Sequence, residues 1–153
     1  MRRLAEHGSC FVCGTANPHG MHVTWYADQQ GRVSTRITLS EAHQGPPGYA
    51  HGGASAALID EVMGAAVWYA GNRVVVVNLE CAYRHPLPLG VELTVWGEVV
   101  DQSGRTVWAR GEIVLPNGTP AVIGRGIYVE APQFFENALF QAFEPIAPDG
   151  DQS

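Results

Sequence analysis

Residues 48–67 open with Gly48-Tyr49-Ala50-His51-Gly52-Gly53 and continue as an almost wholly apolar run that carries two adjacent acids, Asp60 and Glu61. An ionised carboxylate among apolar neighbours is costly unless it pairs, takes up a proton or does chemistry. Two glycines at a helix start let a ligand approach the backbone. The free N–H groups there sit at the positive end of the helix dipole, where a developing oxyanion is stabilised. Asp60 lies eight residues beyond Gly52, which at a rise of about 1.5 Å per residue is roughly 12 Å along the helix. One small reacting centre cannot touch both. The spacing therefore predicts that a Gly52 N–H and a carboxylate meet from two copies of the chain, in a homodimer with two equivalent composite sites. The two acids point about 100° apart, so only one faces a given site. Ala57, Gly64 and Val67 share the side of Asp60, while Leu58, Ala65 and Trp68 share the side of Glu61. Periodicity leaves the choice open.

The elements that must hold this run are legible from pattern. Residues 20–27 and 32–39 read as two short strands joined by Asp28-Gln29-Gln30-Gly31, a turn signal. Gln44-Gly45-Pro46-Pro47-Gly48 breaks regular structure, and a buried helix follows from 52 to about 70, closed by Gly71 as a left-handed residue. Residues 73–84, 91–100, 106–115 and 119–129 are rich in β-branched and aromatic side chains and are separated by Pro, Gly, Asn and Asp turns. Consecutive long strands are expected to be antiparallel neighbours. The economical arrangement is α+β, with about six strands in a strongly curved antiparallel sheet wrapped around one long central helix. Residues 132–140 are expected to add a short helix, and 145–153 to fray.

Size and composition bound the function. The 153 residues suit one domain over 1–153, with a peripheral lead of about 1–18 and a peripheral tail of 141–153. A formal charge of −6, and basic residues that are all Arg and scattered, argue against a general nucleic-acid binder. The absence of Lys removes Schiff-base chemistry. No signal core stands at the start, and no apolar run approaches the roughly 18 residues of a membrane span, so a cytoplasmic protein is expected. Three cysteines fit a reducing compartment. Cys10 and Cys13, with His19 or His22 nearby, lack a second Cys pair or a spaced His pair, so no metal and no cofactor are predicted. They read instead as packing that covers one mouth of the site, with Cys81 in the core.

Tyr49-Ala50-His51-Gly52-Gly53 with Leu58-Ile59-Asp60-Glu61 resembles the signature of hotdog-fold acyl-coenzyme A thioesterases of the phenylacetate-pathway and thioesterase-superfamily-member type. Cys10-Phe11-Val12-Cys13-Gly14 with Asn17-Pro18-His19-Gly20-Met21 resembles the opening of many bacterial members. Tyr83-Arg84-His85-Pro86-Leu87-Pro88-Leu89-Gly90 resembles their strand ending, with His85 inserted. The resemblance implies Asp60 as the catalytic acid, acting as general base or nucleophile, and the Gly52 N–H as the main oxyanion donor with Gly53 beside it. It implies that His51 positions the thioester or braces its loop, and that Glu61 is salt-bridged to Arg84 or Arg73. Arg84, His85 and Arg125 become candidates for coenzyme A phosphates.

Two positions depart from the family pattern. Where members carry a Ser or Thr that orients water, this chain has Val76, with Asn78 as a substitute if the two share a strand face. Where members place an amide before the His, this chain has Gly45, with Gln44 nearby. Met63, Trp68 and Tyr69 suit an acyl tunnel or a core equally well. The reading that results is a homodimer, with sheet stacking into a dimer of dimers as a further assembly, that hydrolyses acyl-coenzyme A. A non-catalytic acyl-coenzyme A binding module is one alternative, favoured by Val76. An enoyl-coenzyme A hydratase-type hotdog protein is another, but no His follows Asp60 until His85.

Overall fold

The apolar run folds as one helix, α1, spanning Gly52–Tyr69, in a computed structural model that describes residues 1–136 and 143–146. Since α1 has no polar side, it must be enclosed, and Leu58, Ile59, Val62, Met63, Ala65 and Val67 are fully buried. Seven strands enclose it: β1 (Arg2–Arg3), β2 (Tyr26–Ala27), β3 (Val33–Thr38), β4 (Val74–Tyr83), β5 (Glu92–Ser103), β6 (Thr106–Val114) and β7 (Pro120–Glu130). They form one antiparallel sheet in the order β1-β2-β3-β5-β6-β7-β4.

A row of glycines explains how the sheet comes so close to α1. Gly97, Gly111 and Gly124 are register partners across β5, β6 and β7. A Cβ on Gly97 would stand 2.9 Å from the Val62 carbonyl carbon, and one on Gly124 2.2 Å from Ile59 Cγ2. Neither distance leaves room for a methyl group, so the helix lies in a trough that only glycine can line.

The expected curved sheet around one helix is present, with three differences. The sheet has seven strands rather than six, because the lead adds β1 at one end. Residues 20–24 do not join it: His22 takes φ +53°, and the Met21 and Val23 N–H groups donate to the Phe11 and Val12 carbonyls instead. The rule that consecutive strands are neighbours holds from β5 to β7 and fails for β4, which pairs with β7 at the far end. The connection after β4 instead packs on the loop before α1, with Ala50 N–H donating to the Leu87 carbonyl and Leu89 N–H to the Gly48 carbonyl.

The lead is not peripheral: Leu4, Val12 and Cys13 are buried, and Leu4 bridges to Pro145. Pro132–Phe134 forms a single 3-10 turn, and the rest of the short helix expected through 140, like residues 147–153, lies largely outside the described residues. Among the described residues no helix is long and apolar enough to cross a membrane.

Candidate functional site

Asp60 and Glu61 leave α1 in different directions and, although both border one cavity, meet different partners. Asp60 opens on a cavity of about 360 Å³ whose lining includes Phe11, Ala57, Gly64, Val76 and Tyr128. The Tyr128 hydroxyl, projecting from β7, lies 3.1 Å from Asp60 Oδ1 and 2.9 Å from the Asp60 carbonyl oxygen. Burial pushes the Asp60 carboxyl above the usual carboxylate range, and the Tyr128 hydrogen bond pulls it part of the way back. Burial raises Tyr128 as well, so its O–H stays a donor. A partly desolvated carboxylate held by one donor is a stronger base than an exposed one.

Glu61 is engaged on both oxygens. Oε2 accepts from Trp25 Nε1 at 2.7 Å, while Oε1 lies 2.7 Å from Cys10 Sγ and 3.3 Å from His7 Nε2. The expected partners are therefore corrected: neither Arg84 nor Arg73 reaches Glu61. Arg73 sits over the Trp68 ring and 3.6 Å from Glu144, and Arg84 belongs to the other end of α1. Burial alone would lower the His7 pKa, but hydrogen bonds with Cys10 and Glu61 raise it to about 9. Both acids border the same cavity, but Glu61 has both oxygens engaged whereas, among the described residues, Asp60 is held by Tyr128 alone. Phe11 does line that space, as expected of the Cys10 to Cys13 segment.

At the start of α1, His51 Nδ1 accepts the Gly53 N–H at 2.8 Å, capping the helix. That commits the Gly53 donor. Among the described residues the Gly52 N–H donates to no group, while its carbonyl accepts from the Tyr83 hydroxyl at 2.7 Å. A cavity of about 280 Å³ opens here, lined by Ala50, Gly52, Ser55, Tyr83, Arg84 and His85 among others. Gln44 braces the preceding loop, with its Oε1 accepting the Gly48 N–H at 3.0 Å. Gly45 is closed to any side chain, since a Cβ there would stand 2.8 Å from His51 Cα.

Asn78 and Arg125 are not brought to Asp60. The β4–β7 register shifts between Val76, opposite Tyr128, and Asn78, opposite Ile127. The extra residue, Val77, turns Asn78 onto the other face of the sheet, so Val76 and Asn78 do not share a face as strict alternation required. Asn78, Glu80, Arg110 and Arg125 line a separate depression on that outer face. Sequence reasoning missed Tyr128, Tyr83, His7 and Trp25. Tyr83 opens the strand-ending motif, and Tyr128 carried a signal of pattern, since alternation along β7 puts it on the side of Val122 and Gly124, which meets the helix.

A family model described as the thioesterase superfamily matches residues 47–121, from the loop before α1 to the start of β7. A crystal structure of a thioesterase superfamily protein is 33% identical, with a TM-score of 0.76, over 78% of this chain and 62% of that one. Over these residues the chain is similar to the thioesterase superfamily. It has that superfamily's hotdog fold, one long helix against a curved antiparallel sheet. Among curated members, the acyl-coenzyme A thioesterase THEM4 of Xenopus laevis is 37% identical over 70 residues, which are 46% of this chain and 32% of the frog protein. The chain thus spans about a third of that relative and less than two thirds of the crystallised one. A hypothetical thioesterase protein from Streptococcus pneumoniae, solved with coenzyme A, shares the fold at 22% identity, with a TM-score of 0.66, over 70% of this chain and 84% of that one.

Proposed function

We propose that this chain hydrolyses an acyl-coenzyme A thioester to a carboxylate and free coenzyme A. The observation that carries the reading is Asp60: a carboxylate whose pKa burial raises, held by Tyr128, that opens on a mostly apolar cavity beside a helix whose first N–H is uncommitted. In this reading Asp60 takes a proton from water as the oxygen attacks the thioester carbonyl, and the Gly52 N–H donates to the oxyanion that forms. Collapse of that intermediate breaks the C–S bond, and the proton held by Asp60 goes to the departing sulfur. Arg84 and His85, beside Gly52, suit the coenzyme A phosphates, the ligand class borne by the streptococcal relative.

About 12 Å of helix separates Gly52 from Asp60, so the site is assembled from two protomers. Strand β4 supports this. It ends the sheet, and Val76 near Asp60 and Tyr83 near Gly52 lie toward its opposite ends. Pairing two copies of β4 antiparallel, centred between Leu79 and Glu80, sets Tyr83 of one protomer opposite Val76 of the other and brings Gly52 toward the partner's Asp60.

The test is loss of thioester absorbance across short-chain, long-chain and aryl acyl-coenzyme A. Turnover that survives Glu61→Gln and is abolished by Asp60→Asn is expected. Mixing inactive Asp60→Asn with inactive Gly52→Val, after reversible dissociation, should restore about one quarter of the wild-type rate, because half of the reassorted dimers are mixed and each holds one intact site. No recovery overturns the shared site. A second reading, a non-catalytic acyl-coenzyme A binding module, is favoured by apolar Val76 at the water-orienting position. Binding without turnover across the panel would establish it in place of the hydrolase.

A further inference from the structure

The lead segment builds a second polar cluster that the proposed hydrolysis does not use. His7, Cys10, Cys13 and Glu61 each present one ligand atom, and the four atoms all lie within 4.8 Å of one another. Tetrahedral zinc takes sulfur at about 2.3 Å and nitrogen or oxygen at about 2.0–2.2 Å, which places its ligand atoms roughly 3.3–3.8 Å apart. The cluster needs little adjustment to reach that spacing.

Its surroundings are arranged as those of a metal site are. Residues 10–14 form a tight turn in which the Val12 N–H points to Cys10 Sγ at 3.3 Å and the Gly14 N–H donates to the Cys10 carbonyl at 3.0 Å. Only glycine fits at its end, since a Cβ on Gly14 would stand 2.3 Å from the Cys10 nitrogen. A backbone N–H directed at sulfur stabilises a thiolate, the form a metal binds. Trp25 holds Glu61 Oε2 at 2.7 Å, which fixes the carboxylate plane and leaves Oε1 to face Cys10 and His7. Outer hydrogen bonds of this kind orient metal-ligating carboxylates. Cys13 is buried and the Glu61 side chain is 9% exposed, while Cys10 and His7, the latter 22% exposed, border the cavity of Asp60; four such donors fill a tetrahedral coordination sphere.

We propose that His7, Cys10, Cys13 and Glu61 bind one structural zinc ion that pins the lead segment to α1 beside Asp60. Two thiolates, an imidazole and a carboxylate in a closed four-ligand set suit zinc and leave no position for substrate. The spacing rule that predicted no metal searched downstream for a second pair. The missing ligands are His7, upstream, and Glu61, which stands 48 residues beyond Cys13 and comes to the cluster only through the fold.

The inference is independent of the reaction and is tested without an activity assay. Full-length protein purified under reductant should carry about one zinc per chain by elemental analysis. A thiol reagent should then titrate Cys81 alone until a chelator exposes Cys10 and Cys13. Replacement by cobalt(II) should give thiolate-to-cobalt charge-transfer bands with tetrahedral d–d transitions, and these should vanish in Cys10→Ser with Cys13→Ser but persist in His22→Ala. Zinc at background, three equally reactive thiols, or a cobalt spectrum without thiolate bands in the wild-type protein would overturn the site, whether or not the double variant folds.

Discussion

Tyr128 decides how basic Asp60 is, because its hydroxyl works against the desolvation that raises the carboxyl. Tyr128→Phe removes that donor, so the acidic limb of the pH–rate profile should move to higher pH. On that limb the base is more protonated at any given pH, and the rate should fall by about tenfold, the equivalent of roughly 1.4 kcal/mol for a hydrogen bond to a charged group. A limb that stays in place would remove Tyr128 from the site. The same burial has a stability counterpart. With its folded pKa above the unfolded value, Asp60 holds its proton better in the folded chain, so its contribution declines as pH rises from the ordinary Asp range through the raised value. Asp60→Asn should therefore melt higher than wild type at neutral pH, by roughly 2–4 °C for about 1 kcal/mol, with the difference closing toward low pH in thermal scans. The choice of Asp60 over Glu61 as the proposed base was beyond helical periodicity, since small and large apolar residues flank both. Trp25 and Cys10, from a distant segment, make the distinction by occupying Glu61.

At the scale of elements, the two glycines that open α1 separate into two functions. A Cβ on Gly52 would meet Tyr83 at 3.6–3.7 Å, an ordinary contact, so nothing in the protomer's own packing requires glycine there. Gly52→Ala should fold at least as stably as wild type, since Ala is favoured in helices by up to about 1 kcal/mol, yet lose tenfold or more in kcat/KM as the methyl blocks the approach of the carbonyl. A Cβ on Gly53 would stand 2.9 Å from His51 Nδ1 and push out the cap. Gly53→Ala should lower Tm by a few degrees, the cost of about 1 kcal/mol for a lost cap. Equal behaviour of the two variants in melting and kinetics would contradict this division. The boundaries of α1 and of β5 to β7 were legible because β-branched runs and turn residues mark them locally. The pairing of β4 and the bulge at Val77 were not, because both are set by contacts with β7, whose paired residues lie 39 to 56 positions further along the chain. The bulge is what separates Asn78 from the site that alternation assigned to it.

For the molecule as a whole, the fold class was readable from the count and type of elements, whereas the edge strand is where the proposed assembly is put to the test. Val77 is 57% exposed and Tyr83 54%, in a ten-residue strand at the end of the sheet. Long apolar edges of this kind are partner surfaces. Leu79→Lys should yield a folded monomer by light scattering with turnover lost alongside the dimer, while a dimer that persists with full activity would place the interface elsewhere. The strand order also dictates a sequence of events in time. On a nascent chain Val74 to Val77 are made well before β7, the strand β4 pairs with, so the docking of β4 must be among the last steps of folding. Four consecutive valines, a β-prone apolar run, thus wait for their partner strand until late in synthesis.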